Sequence, residues 1–285
     1  MSESAVISDR RLEREAAKRS RERRGQAVAA ISTVLVIGGL AVWILTSPGW
    51  PVVRETFFSW TIFKDSFPEV LEGFWLDVKL FMIVEVVVLV AGLAIALVRT
   101  SRAPALFPLR LLGTVYVDLF RGFPTIILIV LVGFGVPALR LQGLPTDPLV
   151  LGGIALALSY SAYVAEVYRA GIASVHRGQR DAALAVGLSD RQATRHVILP
   201  QAVRRVAPPL LNDLVSLQKD TALIAALGTP YYDAVLQAQI DTTTTYNYTP
   251  YVIAGLLVLV LTIPMTRFTD WIARRQGWTT AGATV

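Results

Sequence analysis

From Ala27 to Thr46 the chain runs twenty residues without a charged side chain. As a helix, such a run crosses a hydrocarbon core roughly 30 Å thick. Water is absent there, so each backbone N–H and C=O must be satisfied internally, and an isolated span has to be helical. A cleaved signal would have an apolar region of only about 7–15 residues and a small-residue cleavage site. Here the run is longer and leads into Ser47-Pro48-Gly49-Trp50, so it reads as a retained first span. Further apolar runs follow at Val78 to Val98, which holds Glu85 and is closed by Arg99 and Arg102, and at Leu149 to Tyr168 and Tyr251 to Trp271. Two more are less uniform. Leu111 to Val136 passes through Pro124, with Asp118 and Arg121 near its start. Val206 to Leu227 carries Pro208, Pro209, Asp213, Lys219 and Asp220. The expectation is an all-α, polytopic membrane helix bundle with about six transmembrane helices.

Composition agrees. Hydrophobic residues make up 54% and charged residues 17% of the chain, against about 25% charged in soluble domains. With no cysteine, disulfides and thiolate chemistry are excluded. His176 and His196 are the only histidines, too few for an ordinary zinc site, so no metal or catalytic residue is expected. The net charge of +6 is not a nucleic-acid signature, because its basic residues are spread over the loops of a membrane chain. The organisation expected is a basic tail over 1–26, an extra transmembrane helix over 27–46 and an external connecting segment over 47–75. A core over 76–275 with a cytoplasmic loop at 171–204 follows, then a tail over 276–285. Trp50, Phe57, Phe58, Trp60 and Phe63 would place the connecting segment at headgroup level.

Six spans put both termini on one side. The segments 1–27, 99–110, 169–205 and 267–285 together carry 21 Lys/Arg, and the opposite loops 47–77, 138–149 and 228–250 carry 3. By the positive-inside rule both termini are cytoplasmic.

The loop over 170–204 exceeds thirty residues, long for a compact bundle. Ser189 followed by Gln192 is a capping-box pattern. Gly187 can take the left-handed conformation that ends a helix. Pro200 restricts Leu199 ahead of it. The loop thus reads as two short helices, 179–186 and 190–198, joined at Gly187 and stopped at Pro200. Ala182, Ala183, Ala185 and Val186 give the first a small-residue face open to close approach.

Asp181-Ala182-Ala183, Gly187, Val197 and Leu199-Pro200, at these spacings, resemble the "EAA" loop of permeases of ATP-binding-cassette importers. Gly178-Gln179, Arg121-Gly122-x-Pro124, Ala162-Tyr163-x-x-Glu166-x-x-Arg169-x-Gly171 and Leu217-x-Lys219-Asp220-Thr221 resemble the polar amino-acid branch of that family. The resemblance covers about 70–275. Asp181 stands where glutamate is usual, Val197 where isoleucine is usual and His176 where proline is common. The first span is an addition to the five-helix core usual in the branch.

The resemblance implies a type I importer permease in a bacterial cell membrane. It would transport amino acids of the glutamate, glutamine or basic class. Gly178, Gln179, Asp181, Ala182, Ala183, Gly187, Leu199 and Pro200 would then form a coupling element seated on a cytoplasmic ATPase subunit. The partners implied are an ATPase dimer, a second permease subunit, identical or paralogous, an extracytoplasmic amino-acid-binding protein and the bilayer. No phosphate-binding loop of the Gly-x-x-x-x-Gly-Lys-Ser/Thr type occurs, so ATP and magnesium are expected on the partner and no cofactor on this chain.

Charges at membrane depth are functional candidates by default. Asp118 and Arg121, and Glu166 and Arg169, are spaced three apart and can pair on one helix face. Each pair is either a clamp near the cytoplasmic end or part of a gate. Lys219, Asp220 and Thr221 either line a pathway or form an interhelix salt bridge. Glu85 either pairs with a basic neighbour or meets a cationic part of the substrate. An ion-gradient transporter or channel working without an ATPase is the alternative. No internal repeat or filter-like segment supports it.

Overall fold

The computed structural model describes residues 3–101, 103–228 and 230–275. The expected tail over 276–285 lies outside the described residues, and every element among those described is helical. The chain divides into two units, Met1–Phe58 and Ser59–Val285.

The first unit holds α1 (Glu3–Leu45) and α2 (Trp50–Phe57). Arg24–Leu45 is long and apolar enough to cross a membrane, and its large apolar side chains from Val28 to Leu45 are exposed. Its hydroxyls are satisfied on their own helix, as an apolar surrounding demands. Thr33 Oγ1 donates to the Ala29 carbonyl at 2.7 Å, and Thr46 Oγ1 to that of Val42 at 2.7 Å.

In the second unit α3 runs unbroken from Trp60 to Thr100. Its 41 residues measure about 60 Å, roughly twice a hydrocarbon core. Within the connecting segment expected over 47–75, the chain is helical over Trp50–Phe57 and again from Trp60 onward. The reason is tertiary. Phe63, Phe67 and Phe74 pack around Val70 on Ala234, Ala238, Ile253 and Ala254, which belong to α10 (Ala234–Thr245) and α11 (Thr249–Arg275). Pro68 sits inside this helix without ending it.

The single span expected over Leu111–Val136 is instead two helices, α4 (Phe107–Gly122) and α5 (Thr125–Ala138), bent by 106°. Pro124 causes the break. It has no N–H to donate, and it forces the preceding Phe123 into an extended conformation, with φ −94° and ψ 131°.

At the centre is α6 (Pro148–Ala173), packed against α3, α4, α5 and α9 (Leu199–Asp220). Asp147 caps it by accepting from the Leu149 and Val150 amides at 2.9 and 3.1 Å. The core joins Leu80, Val84 and Val88 of α3 to Leu156 and Val164 of α6 and to Leu217 and Ile224.

After α6 come α7 (Arg177–Ala185), α8 (Asp190–Ala193) and α9 (Leu199–Asp220). The expected stop at Pro200 does not occur. A π-helical stretch over Thr194–Ile198 joins α8 directly to α9, and the Leu199 amide bonds to the Thr194 carbonyl. The wider π turn accommodates the ring and missing donor of Pro200 without ending the helix. A 3-10 helix, Thr221–Leu227, continues α9 to Gly228, where φ is +57°.

Four helices among the described residues are long and apolar enough to span, and five spans result if the bent pair counts as one. The remaining expected span, over 206–227, falls short by this measure, because α9 carries Arg204, Arg205, Asp213, Lys219 and Asp220. It nonetheless packs along α6, α11 and α3, burying Val206, Val215 and Leu217.

Candidate functional site

The 177–198 segment is a stiff hairpin. The His176 Nδ1 accepts from the Gly178 amide at 3.1 Å and so caps α7. At the other end of α7, the Leu188 amide bonds to the Ala183 carbonyl at 3.1 Å and the Gly187 amide to that of Leu184 at 3.0 Å. These are the two bonds of a Schellman motif. Gly187 occupies its left-handed position with φ +89°. The capping box then forms in both directions. The Ser189 amide donates to Gln192 Oε1 at 2.9 Å, and the Gln192 amide to Ser189 Oγ at 3.4 Å.

The hairpin is also tied to the bundle. Gln201 Nε2 donates to the Val197 carbonyl at 2.9 Å and to Gln179 Oε1 at 3.4 Å. Arg205 Nη1 donates to the Ser174 carbonyl. Gln201 and Arg205 carried no signal of their own in the sequence. Ala183 is buried, Gly178 is half-buried, and Gln179, Asp181, Ala182, Gly187, Leu199 and Pro200 are exposed. The tip presents Val186, 79% exposed, and Leu184, 41% exposed. An apolar tip on a braced hairpin is a surface that gains from being covered.

Glu166 is the hub of an ion triad at the same end. Its carboxylate meets Arg99 Nη1 at 2.9 Å, Arg169 Nε at 2.9 Å and Arg169 Nη2 at 2.5 Å. The spacing within α6 identifies Arg169, but Arg99, 67 residues away, required the fold. The triad locks the end of α3 to α6, and the Arg99 side chain is only 10% exposed.

Asp118 and Arg121 form no ion pair among the described residues. Arg121 instead lies over the Tyr163 ring at 5.7 Å, and Tyr163 Oη donates to the Arg121 carbonyl at 3.1 Å. This couples the bend between α4 and α5 to α6.

The α9 residues separate. Asp220 Oδ2 accepts from Tyr160 Oη at 2.8 Å, whereas Lys219 is exposed and in no ion pair among the described residues. Buried Thr221 donates to the Gln218 carbonyl at 2.7 Å, and Gln218 Oε1 accepts from Thr262 of α11 at 2.7 Å. Glu85, 8% exposed, has no basic partner among the described ion pairs. Its charge lies within electrostatic reach of Asp213, which in turn lies within reach of Arg121. One Asp213 oxygen is buried without a hydrogen-bond partner among the described residues. Electrostatic reach thus links buried Glu85 of α3 to half-buried Asp213 of α9, and Asp213 to Arg121 of α4, which is itself exposed. Asp213 was seen in the sequence as a charge in a span but not singled out.

At the opposite end, a cavity of about 810 Å³ opens beside α3 and α10, lined by Glu69, Glu72, Lys79, Tyr231, Tyr232 and Gln237 among others. Its wall is built by close backbone approach. A Cβ at Gly73 would lie 2.7 Å from the Ala234 amide, and Asp77 Oδ2 accepts from that amide at 3.2 Å. Asp233 caps α10, and burial pushes its carboxyl above the usual range. Among the described residues, no group of three histidine, aspartate or glutamate side chains is placed to hold a metal ion.

Known proteins resemble this chain in sequence and in fold. The chain is similar to the arginine transport system permease protein ArtQ of Bacillus subtilis, 32% identical over 200 residues, covering 70% of this chain and 88% of the relative. It is 33% identical over 216 residues to the probable glutamine ABC transporter permease protein GlnM of the same organism, covering 75% and 96%. In structure it resembles a crystal structure of an amino acid ABC transporter with histidines, with a TM-score of 0.65 and 31% identity over 73% of this chain and 94% of that one. The inward-facing MetNI methionine ABC transporter shares the fold, with a TM-score of 0.57 at 21% identity over 73% of this chain and 95% of that one. The sequence profile of the binding-protein-dependent transport system inner membrane component matches residues 103–278. The chain belongs to this family of inner membrane components and is a multi-pass permease subunit of an ABC importer.

Proposed function

We propose that the chain forms the translocation pathway for polar amino acids and couples it to a separate ATPase. The observation that carries this reading is the braced hairpin with its exposed Val186 and Leu184 tip. Held by a Schellman turn, a capping box and bonds to α9, it can pass a rigid-body rotation into the bundle, which a slack loop could not. Its exposed residues Gln179, Asp181, Ala182, Gly187, Leu199 and Pro200 would face the ATPase. Buried Ala183 and half-buried Gly178 would support them from behind.

The arginine-rich segments, the hairpin among them, would lie in the cytoplasm with both termini. The Lys/Arg asymmetry supports this orientation. The cavity beside α10 would then face outside, where a binding protein would deliver the amino acid. A second permease subunit, identical or paralogous, would complete the pathway. ATP and magnesium would belong to the ATPase, and this chain would perform no bond-making step. Polar amino acids are supported by the relatives' names and by the chemistry of the interior. A zwitterion needs an anionic and a cationic contact when it leaves water. Glu85 and Asp213 would offer the anionic contact and Arg121, exposed on α4, the cationic one. Asp220, Thr221 and exposed Lys219 would line the same route, and Glu166 would clamp its cytoplasmic end.

Uptake by a Gly187→Leu variant tests the coupling role. Chain neighbours apart, no atom of the described residues lies within 4 Å of a Cβ at Gly187, so the change acts through the backbone. With φ at +89°, a side chain there costs about 1–2 kcal/mol. The expected result is normal membrane insertion with ATP-driven uptake reduced about five- to thirtyfold. Normal uptake by the stably inserted variant would remove the hairpin from the coupling path. Uptake by the reconstituted chain alone, without ATP, would remove the ATPase from the account.

A further inference from the structure

Beside the hairpin is a feature that the transport reading does not use. A cavity of about 650 Å³ lies where α3 and α6 end, and Arg99, Arg169, His176, Arg177 and Arg180 line it. Glu166 is the carboxylate held by two of these arginines, so the triad itself carries a net positive charge. Arg177 is exposed and adds another. Arg99 Nε is buried without a hydrogen-bond partner among the described residues, although its side chain is nine-tenths buried.

An apolar groove of about 350 Å³ adjoins this basic cavity. Ile172 lines both, and the lining passes from Arg99 to Leu97 on α3 and from Ile198 to Leu199 at the start of α9. From there the groove follows Leu93, Val203 and Leu210 into the apolar part of the bundle. Leu93, Leu97, Leu199 and Val203 are each between 41 and 55% exposed. A free anion would meet the arginines and leave the groove uncovered, and an apolar chain would do the reverse. One class of molecule has both parts in this order. Basic pockets between transmembrane helices on the cytoplasmic side suit anionic lipid headgroups.

We infer that this composite site binds an anionic phospholipid, with its phosphate on the arginines and one acyl chain along the Leu97–Val203 groove. Arg99 and Arg169 thereby serve both the triad and the lipid. The hairpin base then rests on a bound lipid as well as on protein. The assignment to the inner leaflet rests on the proposed orientation, but binding itself does not depend on it.

Native mass spectrometry of the purified, delipidated full-length chain tests the site. The probes are phosphatidylglycerol and phosphatidylcholine with the same acyl chains, and excess inorganic phosphate as competitor. The wild-type chain is expected to retain phosphatidylglycerol in preference to phosphatidylcholine, and excess phosphate is expected not to displace it. Arg177→Gln is expected to weaken phosphatidylglycerol retention about fivefold with phosphatidylcholine unchanged. Val203→Trp, which fills the groove and keeps every charge, is expected to weaken it comparably. Equal retention of the two lipids, unchanged retention in both variants, or displacement by phosphate would each overturn the proposal. So would unchanged lipid retention by Arg177→Gln combined with loss of a co-purifying ATPase, because the cavity would then be a protein-docking surface. None of these readouts involves transport, so the site and the importer reading can fail separately.

Discussion

A Gly171→Leu variant is expected to lose the packing of α9 on α6. A Cβ at position 171 would lie 1.9 Å from Val206 Cγ1 and 3.6 Å from the Ala202 carbonyl oxygen. The first distance is far inside van der Waals contact, and Val206 is a buried residue whose side chain has little room to turn away. The helices must therefore separate. Overpacking by even a few methylene-sized groups costs about 1–3 kcal/mol, and a full leucine between two close helices should reach about 3 kcal/mol or more. Because α9 follows directly from the hairpin, loss of its seat should lower uptake together with stability. Thermal unfolding of the purified chain in detergent measures the effect. Gly171→Ala with Val206→Ala, which removes the clashing methyl, should recover most of what Gly171→Ala alone loses, since residues in direct contact couple. Additive losses would place the cause elsewhere.

Glu166→Ala is the second change of large expected effect. It removes the carboxylate that holds both Arg99 and Arg169. Arg169 is 37% exposed and can turn to water, but Arg99, at 10%, cannot. Breaking a buried pair by deleting one partner costs about 3–5 kcal/mol, because a buried charge is left uncompensated. Glu166 is itself 22% exposed, which puts the expected loss near the lower end, about 3 kcal/mol. Adding Arg99→Met should restore stability, because no buried charge then remains. If the double variant is as unstable as Glu166→Ala, the triad is not what joins α3 to α6.

The parts of this fold that were legible in the sequence are those set by local rules. Gly187, Ser189 and Gln192 define a turn whose chemistry needs only residues 183–192, and all its bonds are present. The apolar runs of α1, α6 and α11 are long enough to identify by hydropathy alone. The parts that were not legible depend on distant contacts or on competing local rules. The first turns of α3 are aromatic and mixed, and they are helical because Phe63 and Phe67 find Ala234 and Ile253 nearly two hundred residues later. Pro124 and Pro200 look alike in sequence. The first breaks its helix at a 106° bend, while the second is absorbed by a π turn. Phe123 goes extended ahead of the first, and the wider turn leaves Leu199 helical ahead of the second.

The site divides in the same way. Glu166 and Arg169 are partners by spacing, but Arg99 enters only through tertiary packing of α3 on α6. Asp118 and Arg121 have the same spacing and do not pair, because Arg121 finds the Tyr163 ring. Gln218 and Tyr160 hold Thr262 and Asp220, and neither has a charge that would mark it in an apolar run.

The central claim is that the hairpin tip meets an ATPase inside the cell, and one cysteine can test it. The chain has none of its own, so Val186→Cys, at a position 79% exposed, creates a unique thiol. In intact cells this thiol should resist a membrane-impermeant maleimide and, with a short thiol cross-linker, should capture an ATP-hydrolysing partner. Labelling from outside the cell, or free labelling in opened membranes with no partner captured, would contradict the account.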